Sequence, residues 1–423
     1  MHTTLETAPG LSLNYVRSQF PSLSQTVNGH TAVFLDGPGG TQVPQRVIDA
    51  ISQYLATSNA NTGGAYATSR NTDAMIARAR SAMADFLKCS PDEVAFGPNM
   101  TTLTFAISRA IGRELGPGDE ILVTRLDHDA NVSPWLAMAE DRGVKVRWAE
   151  IHDADCTLDV ADLSSKISDR TKLIAVGYAS NAVGTINPVK SIVQLAHQAG
   201  ALCYVDAVHY GPHGLIDVAE LDCDFLACST YKFFGPHMGV LYGKREHLNR
   251  FHPYKVRPNT NAIPNCWEWG TLNHECIAGI EACVEYIADL GRRTNPEVTT
   301  RRAAIEAAYS AIHEHERALV GRMISGLKSI AGLKIYGISE SSRFDERCAT
   351  FAVRVDGHTP LELATKLGER GFFTWDGNYY ALNLTEHLDV EKTGGFLRIG
   401  LVHYNTSNEV DRLLAALRQI IAG

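Results

Sequence analysis

Lys232 stands between two apolar segments, in the stretch CDFLACSTYKFFGPHMGVLYG. Residues 225–228 predict a short buried strand, and the Phe-Phe-Gly-Pro turn after the lysine leads into a second apolar strand. An ammonium group is costly to bury, so Lys232 either reaches water through its aliphatic stem or has a lowered pKa that suits chemistry. The lysine alone does not decide between these two interpretations.

An acidic residue upstream favours the chemical interpretation. The apolar run ALCYVD predicts a buried parallel strand that ends in Asp206, and His209 follows it closely. Ser229 and Tyr231 lie just before Lys232. In open α/β sheets ligands bind at the carboxyl ends of strands. A lysine for a Schiff base, an acid for the pyridine nitrogen and hydroxyls for a phosphate are the groups that pyridoxal phosphate requires.

Three further strand ends carry polar residues. Thr101 follows one strand and begins a helix, where free N–H groups favour a phosphate, although Asn99 or Thr101 as a plain helix cap explains the same residues. His128 and Asn181 follow two other strands. An isolated histidine is more often a structural residue than a ligand, so His128 and His209 need support from the rest of the pattern.

The elements that must position these residues alternate along the chain. Apolar strands and helices succeed one another from about residue 90 to 243, which predicts a mostly parallel, doubly wound sheet. The last part of the chain combines predicted strands at 333–336 and 349–355 with helices at 360–370 and 407–421. The predicted fold class is therefore α/β, with a large doubly wound domain and a small α+β domain at the C-terminal end.

Composition limits the classes of function. The net charge of −8 offers no basic surface for nucleic acid, and no apolar run approaches the ~20 residues that span a membrane. The N-terminal sequence lacks the pattern of a signal peptide. The nine cysteines show no CxxC pairing, which argues against a zinc site or a disulfide framework and favours a reducing compartment, so a cytoplasmic location is expected.

The ordered motifs STYK, VDAVH, DHDAN, SNAVGT, WGT and FLRIG resemble a family of pyridoxal phosphate enzymes. The chain resembles class V aminotransferase-fold (fold type I) enzymes, nearest the cysteine desulfurase and selenocysteine lyase branch, from about residue 30 to the end. The resemblance implies that Lys232 forms the Schiff base, Asp206 pairs with the pyridine nitrogen and His128 stacks on the ring. Asn181 would lie beside the phenolic oxygen, and His209 stands where the family usually has a glutamine near that oxygen.

The same resemblance implies a phosphate site and a dimer. Met100, Thr101 and Ser229 match the phosphate-binding positions, and Tyr231 stands where the family often has a histidine. Thr271 matches a residue that reaches the phosphate from the neighbouring subunit, which implies a homodimer. The implied organisation is an N-terminal segment (1–30) packing on the small domain, a large cofactor-binding domain (31–290) and a small domain (291–423).

The chain departs from the desulfurases in the loop before Arg398. Desulfurases carry a cysteine there that attacks the substrate sulfur and holds a persulfide, whereas residues 371–382 contain no cysteine. Cys348 lies in a strand pattern and is interpreted as a core residue. Asn378, with the adjoining Asp376 and Tyr379, occupies the loop instead; these residues either contact the substrate or form a turn, and the sequence leaves both open.

The resemblance implies an enzyme that acts on a small amino acid. Arg398 would hold the substrate carboxylate, although the arginine alone is interpreted as a surface or interface ion pair and its role depends on the motif match. Lys232 would then remove the α-proton. We expect a C–S lyase acting by β-elimination without a persulfide cysteine; a class V aminotransferase, an epimerase and a catalytically silent homologue are the alternatives. GPGGTQ at 37–42 is not a dinucleotide-binding fingerprint, so a dehydrogenase is not expected.

Overall fold

The computed structural model describes residues 10–423. This part of the chain contains 14 α-helices and 17 β-strands. The helices are α1 Leu13–Ser18, α2 Gln45–Thr57, α3 Ala67–Leu87, α4 Met100–Gly112, α5 Ser133–Arg142, α6 Val160–Ser165, α7 Val189–Gln198, α8 Val218–Leu221, α9 Arg245–Arg250, α10 His274–Thr294, α11 Arg301–Lys328, α12 Pro360–Glu369, α13 Leu382–His387 and α14 Ser407–Ala422. The strands are β1 Thr26–Val27, β2 His30–Thr31, β3 Val33–Phe34, β4 Val94–Gly97, β5 Glu120–Thr124, β6 Lys145–Ala149, β7 Ile151–His152, β8 Thr157–Leu158, β9 Thr171–Gly177, β10 Leu202–Asp206, β11 Phe225–Ser229, β12 Gly239–Gly243, β13 Leu333–Tyr336, β14 Thr350–Val355, β15 Phe372–Phe373, β16 Trp375–Gly377 and β17 Phe396–Gly400.

The central sheet has seven strands in the order β4-β12-β11-β10-β9-β5-β6. Strand β12 runs antiparallel to both of its neighbours, and the other pairings are parallel. Successive residues of a strand point to opposite faces of a sheet. In β10, Cys203 and Val205 belong to one buried apolar cluster and Tyr204 to another, so both faces of the sheet are covered. The predicted α/β fold with a mostly parallel, doubly wound sheet is confirmed.

A second, four-stranded sheet has the order β13-β14-β17-β16. It is antiparallel throughout, and its apolar face packs on α12, α14 and the C-terminal half of α11 in a cluster that includes Met323, Phe351 and Ile399. The predicted small α+β unit is present. Strand β15 belongs to the same part of the chain but lies outside the four-stranded sheet. It pairs in parallel with β3 and so ties the small unit to the beginning of the described chain.

The beginning of the described chain contacts both parts of the molecule. The Arg17 guanidinium donates a hydrogen bond of 2.7 Å to the Tyr404 carbonyl oxygen, and Phe20 packs edge-on against Phe234 and Tyr286. Residues 1–9 of the predicted N-terminal segment lie outside the described residues. The predicted domain boundaries stay predictions.

Within residues 10–423 no helix combines the length and apolar character needed to cross a membrane.

A buried ion pair holds β4 and the loop around residue 268 together. Arg80 on α3 donates two hydrogen bonds of 2.8 and 3.0 Å to the Glu268 carboxylate and another to the Val94 carbonyl oxygen. Glu268 also accepts the Phe96 backbone N–H at 2.8 Å. Both side chains are more than nine-tenths buried. The pair therefore fixes the strand that leads into α4 against the loop that carries Thr271.

We predict that Glu268→Ala lowers the free energy of unfolding by about 3–5 kcal/mol, because it leaves the Arg80 charge buried without its partner. Urea unfolding followed by circular dichroism measures the change. Glu220→Ala is the matched control, since Glu220 pairs with Lys190 where both side chains are more than half exposed. The control should change stability by about 0–1 kcal/mol. Equal effects of the two substitutions would contradict the structural role of the buried pair.

Candidate active site

A cavity of about 860 Å³ opens between the carboxyl edge of the central sheet and the small sheet. Eleven of the twelve predicted site residues line it: Met100, Thr101, His128, Asn181, Asp206, His209, Ser229, Tyr231, Lys232, Asn378 and Arg398. Thr271 does not. It is exposed and lines a separate groove beside Arg80 and Glu268. The roles of the twelve residues stay predictions, but eleven of them share one cavity.

The strand register brings these residues to one edge. Asp206 is the last residue of β10 and lies opposite Gly177 on β9 and Ala227 on β11. Since the three strands are parallel and in step, the segments that follow them emerge side by side. Ser229 ends β11 and the turn Thr230–Lys232 follows at once. Lys232 is thereby placed next to Asp206.

The amine of Lys232 is held by backbone oxygens. Its Nζ donates hydrogen bonds to the carbonyl oxygens of Pro38 and Gly39 and lies 4.7 Å from the centre of the Tyr231 ring. Burial lowers the pKa of Lys232 to about 7, and the nearby Arg398 charge contributes to the lowering. A substantial share of the amine is therefore neutral at neutral pH, the form that acts as a nucleophile and as a base.

Two buried carboxyl groups face the cavity. Asp206 accepts the Val208 N–H at 2.9 Å, and burial raises its pKa to about 6 although the Lys232 charge lowers it. Asp127 accepts the Gly177 N–H at 2.9 Å and an Asn131 amide N–H at 2.8 Å. Burial raises the pKa of Asp127 to about 7, and the charge of Asp206 adds to the increase. A positively charged ring nitrogen near Asp206 would stabilise the ionised form of both acids.

Asp127 was not identified in the sequence. It directly precedes His128, so an acidic residue beside the predicted ring-stacking histidine was the available signal. Asp36 was not predicted either, although it lies close to Pro38 and Gly39, which line the cavity. Burial raises the pKa of Asp36 to about 6, and the charges of Arg398 and Lys232 act in the opposite direction. The charges of the basic and acidic groups in this cavity thus shift one another's pKa values.

His128 presents a neutral, flat ring. Its Nδ1 accepts the Ala130 N–H at 2.9 Å, and burial lowers the pKa of His128 to about 4. The imidazole stacks on Tyr380 with ring centres 5.4 Å apart and planes at 24°. The carbonyl oxygen of Tyr380 accepts the Asp129 N–H at 2.7 Å, which holds Tyr380 in place. Tyr380 was not predicted as a site residue from the sequence. A neutral imidazole that already stacks on an aromatic ring is suited to stack on a cofactor ring.

The N-terminus of α4 borders the cavity on another side. Asn99 caps the helix by accepting the Thr102 N–H at 2.8 Å, and Ser229 Oγ accepts the Met100 N–H at 3.1 Å. Thr101 is exposed on the cavity wall, and Tyr231 stacks on His237 at 4.7 Å. The capping interpretation of Asn99 is therefore correct, and it leaves Thr101 free to serve the cavity.

Arg398 lies at the opposite end on β17. Its guanidinium donates a hydrogen bond of 3.0 Å to the Asn181 carbonyl oxygen and lies 4.0 Å from the centre of the Tyr379 ring. Burial lowers the pKa of Arg398 to about 10, so it stays charged at neutral pH. Within the described part of the chain it forms no salt bridge, and its Nε has no hydrogen-bond partner. A buried, unpaired guanidinium facing a cavity is suited to bind a carboxylate bidentately.

Asn378 is committed to the loop that it belongs to. Its amide donates to Glu391 Oε1 at 2.9 Å and its oxygen accepts the Tyr380 N–H at 3.0 Å. Asn378 begins a turn in which its carbonyl oxygen accepts the Ala381 N–H at 2.8 Å, whereas Trp375–Gly377, the rest of the predicted turn, form strand β16. Asn378 also lines the cavity, so contact with the substrate stays a prediction. Glu391, another lining residue, was missed because nothing in its local sequence marks it.

None of the cavity-lining residues, all of which lie within 10–423, is a cysteine. Cys348 is 2% exposed, in agreement with its interpretation as a core residue. The Asn181 amide donates to the Tyr379 carbonyl oxygen at 2.9 Å, while its Oδ1 has no partner.

We predict that Lys232 titrates with a midpoint of about pH 7 in the cofactor-free protein. Below that pH the amine is protonated and unreactive, and above it the amine is neutral and reactive. Competitive acetylation read by mass spectrometry across the pH range measures the midpoint, with the exposed Lys190 as an internal reference.

Two substitutions should move the midpoint in opposite directions. Arg398→Leu removes a repelling cation and should raise the pKa of Lys232, whereas Asp206→Asn removes an attracting anion and should lower it. A Lys232 that reacts at the same pH as Lys190 would contradict the effect of burial.

Known proteins resemble this chain over nearly its whole length. The family model for aminotransferase class-V matches residues 33–413. A cysteine desulfurase from Pectobacterium carotovorum is 31% identical over 96% of this chain and 97% of its own length. The aminotransferase-like protein FGM3 from Gibberella zeae is 31% identical over 97% of this chain and 98% of its own.

Solved structures agree with these relatives. The apo structure of a cysteine desulfurase from Thermococcus onnurineus superposes with a TM-score of 0.86 at 25% identity, covering 97% of this chain and 98% of that one. The cysteine desulfurase CsdA from Escherichia coli gives 0.82 at 27% identity, with the same coverage of both chains. The chain therefore belongs to the aminotransferase class-V family of pyridoxal phosphate-dependent enzymes.

Proposed function

We propose that this protein binds pyridoxal phosphate and cleaves the Cβ–S bond of a cysteine-type amino acid by β-elimination, without a persulfide on the protein. The observation that carries the proposal is a cavity that unites Lys232, Asp206, His128 and Arg398 and that no cysteine among the described residues lines. The similarity to cysteine desulfurases supports sulfur chemistry. The missing thiol supports release of the sulfur to solution.

The cavity residues fit the cofactor. Burial raises the pKa of Asp206 and of Asp127. A protonated pyridine nitrogen beside Asp206 would stabilise the ionised form of both carboxyl groups. The neutral His128 ring would cover one face, and Lys232 would carry the Schiff base. When bound, pyridoxal phosphate supplies an electron sink that stabilises negative charge at the substrate Cα.

The two polar ends of the cofactor also find partners. Among residues 10–423, the buried Asn181 Oδ1 has no hydrogen-bond partner, and Asn181 and the His209 ring would both lie on the side of the phenolic oxygen. Thr101, Ser229 and Tyr231 would hold the phosphate together with the N-terminus of α4, whose dipole favours an anion.

Two residues of the cavity would act directly on the substrate, one by binding its carboxylate and one by removing its α-proton. Arg398 binds the α-carboxylate, and the Tyr379 ring packed on the guanidinium shields that contact from water. Lys232 takes the proton from Cα as a general base, which its lowered pKa permits near neutral pH. The electron pair left by that proton forms the Cα–Cβ double bond, and the Cβ–S pair leaves with the sulfur, which takes up a proton as a thiol. Water hydrolyses the released enamine to pyruvate and ammonia.

Transamination is the second candidate. The aminotransferase-like relative from Gibberella zeae favours it, because that protein matches the chain as closely as the desulfurases do. The difference lies with Lys232, which would return its proton to the cofactor and leave the Cβ–S bond intact. The two candidates therefore differ in whether sulfur stays on the keto acid.

We predict that the holoenzyme converts cysteine to pyruvate, ammonia and hydrogen sulfide, or cystine to pyruvate, ammonia and the hydropersulfide of cysteine, in equal amounts. Lys232→Ala should lower turnover at least ~100-fold, since a positioned base contributes 10²–10⁴, and should abolish the cofactor adduct trapped by borohydride. Lys190→Ala is the matched control on an exposed lysine.

Alkylation with iodoacetamide separates this mechanism from a desulfurase. An enzyme that works through a persulfide would lose its turnover on alkylation. The proposed lyase should keep its turnover, because no cysteine among residues 10–423 lines the cavity. A sulfur-containing keto acid together with the pyridoxamine form of the cofactor would establish transamination instead. A protein that takes up no cofactor would overturn both candidates.

We further propose a homodimer in which Thr271 completes the phosphate site of the neighbouring subunit. Thr271 is exposed and lies outside the cavity of its own chain, as a residue that acts across an interface would. We predict that hybrid dimers of Lys232→Ala and Thr271→Asp chains recover about half of the wild-type activity per dimer, since one of two symmetric sites is intact. Each variant alone should be inactive. Hybrids without activity would show that Thr271 acts within its own chain, and a fully active Thr271→Asp homodimer would show that Thr271 serves neither site.

A further inference from the structure

Behind the cavity wall lies a buried cluster of three residues that bind metals well. One ligand atom each from His209, His213 and Cys348 lies within 4.8 Å of the others. The three residues are only 4%, 5% and 2% exposed. His209 and His213 follow β10 of the central sheet, whereas Cys348 lies two residues before β14 of the small sheet, so the cluster lies where the two sheets meet.

Two imidazole nitrogens in this cluster have no hydrogen-bond partner among the residues that the structure describes. His213 Nδ1 forms a hydrogen bond of 2.7 Å with Glu316 Oε2, which leaves its Nε2 buried without a hydrogen bond. His209 Nε2 is likewise buried and unpartnered, and the two rings approach at 65° with centres 5.2 Å apart. An unsatisfied buried polar group costs about 1–3 kcal/mol, so two side by side indicate that something binds between them.

The chemistry of the donors identifies the ligand. Two imidazoles and one thiol are a donor set for Zn²⁺, and three protein ligands leave a fourth position for water. A carboxylate that fixes the far nitrogen of a ligating histidine is the usual second partner in such sites, and Glu316 does this for His213. We propose that His209, His213 and Cys348 bind a zinc ion, with Glu316 orienting His213.

The side chains need only a small adjustment. Ligand distances of about 2.0–2.3 Å around one tetrahedral ion place the donor atoms roughly 3.3–3.8 Å apart, so the cluster closes by about 1 Å. Burial raises the pKa of the Cys348 thiol well above its usual range. The thiol therefore loses its proton to solvent when the ion binds, and the S–H bond is replaced by an S–Zn bond.

The cysteine spacing in the sequence had argued against a zinc site. Cysteine spacing reveals only zinc sites whose ligands are close together in the chain, whereas the ligands of this cluster come from the segments beside two different sheets. Since His209 also lines the active cavity, a metal on its Nε2 would fix the ring that faces the cofactor.

The test uses the full-length holoprotein, purified without a polyhistidine tag. Zinc is quantified by mass spectrometry after dialysis, and Co²⁺ is then added to the chelator-treated protein. We expect one zinc per chain, together with cobalt d–d bands of a tetrahedral site and a thiolate-to-cobalt charge-transfer band. Cys348→Ser should remove the charge-transfer band, and Glu316→Gln should weaken zinc binding about 10–100-fold.

Cys283→Ser is the matched control, because Cys283 is also buried but its thiol donates to the Phe233 carbonyl oxygen. It should leave both signals unchanged. A wild-type protein that retains no zinc and develops no tetrahedral cobalt spectrum would overturn the proposal, as would an unchanged charge-transfer band in Cys348→Ser. If Cys348→Ser does not fold, Glu316→Gln decides. Because the readout is the metal, failure here is distinct from failure of the proposed lyase.

Discussion

The desolvation of charges in one cavity is the constraint on which the rest of the structure depends. Lys232 and Arg398 are two basic groups that share one cavity region with three acids, Asp36, Asp127 and Asp206, and all five groups are largely buried. Burial raises the pKa of each acid and lowers the pKa of each base, while the opposite charges act against it. The result is that the pKa values of Lys232 and of the three acids are shifted towards neutrality, whereas Arg398 stays charged at neutral pH.

The two sheets must meet for this set to exist. Asp127, Asp206 and Lys232 come from the carboxyl edge of the parallel sheet, whereas Arg398 comes from a strand of the small antiparallel sheet. The contact between the Arg398 guanidinium and the Asn181 carbonyl oxygen crosses this boundary. A substrate carboxylate bound to Arg398, as proposed, would thereby be positioned by one sheet and its Cα by the other.

The sequence predicted the features that follow from local patterns. Apolar strands identified the parallel sheet, and polar residues at the strand ends, such as Asp206 and Lys232, lie together because parallel strands share an edge. Tyr380 and Glu391 escaped notice because their place in the cavity depends on how one loop folds over the sheet. The histidine–cysteine cluster escaped for a related reason, since its members meet only when the two sheets pack.

The loop before Arg398 is held in place by the central-sheet side of the cavity. Tyr379 and Tyr380 both adopt left-handed backbone angles, with φ of 56° and 61°, which costs a non-glycine residue about 1–2 kcal/mol each. Their carbonyl oxygens accept hydrogen bonds from Asn181 and Asp129 on the central-sheet side, and these bonds offset the strain. A loop tied down at two consecutive residues suits a fixed wall over Arg398. A persulfide-bearing thiol must carry its sulfur away from the substrate, so the held loop, together with a cavity that no cysteine among residues 10–423 lines, is consistent with the proposed release of sulfur directly from the cavity.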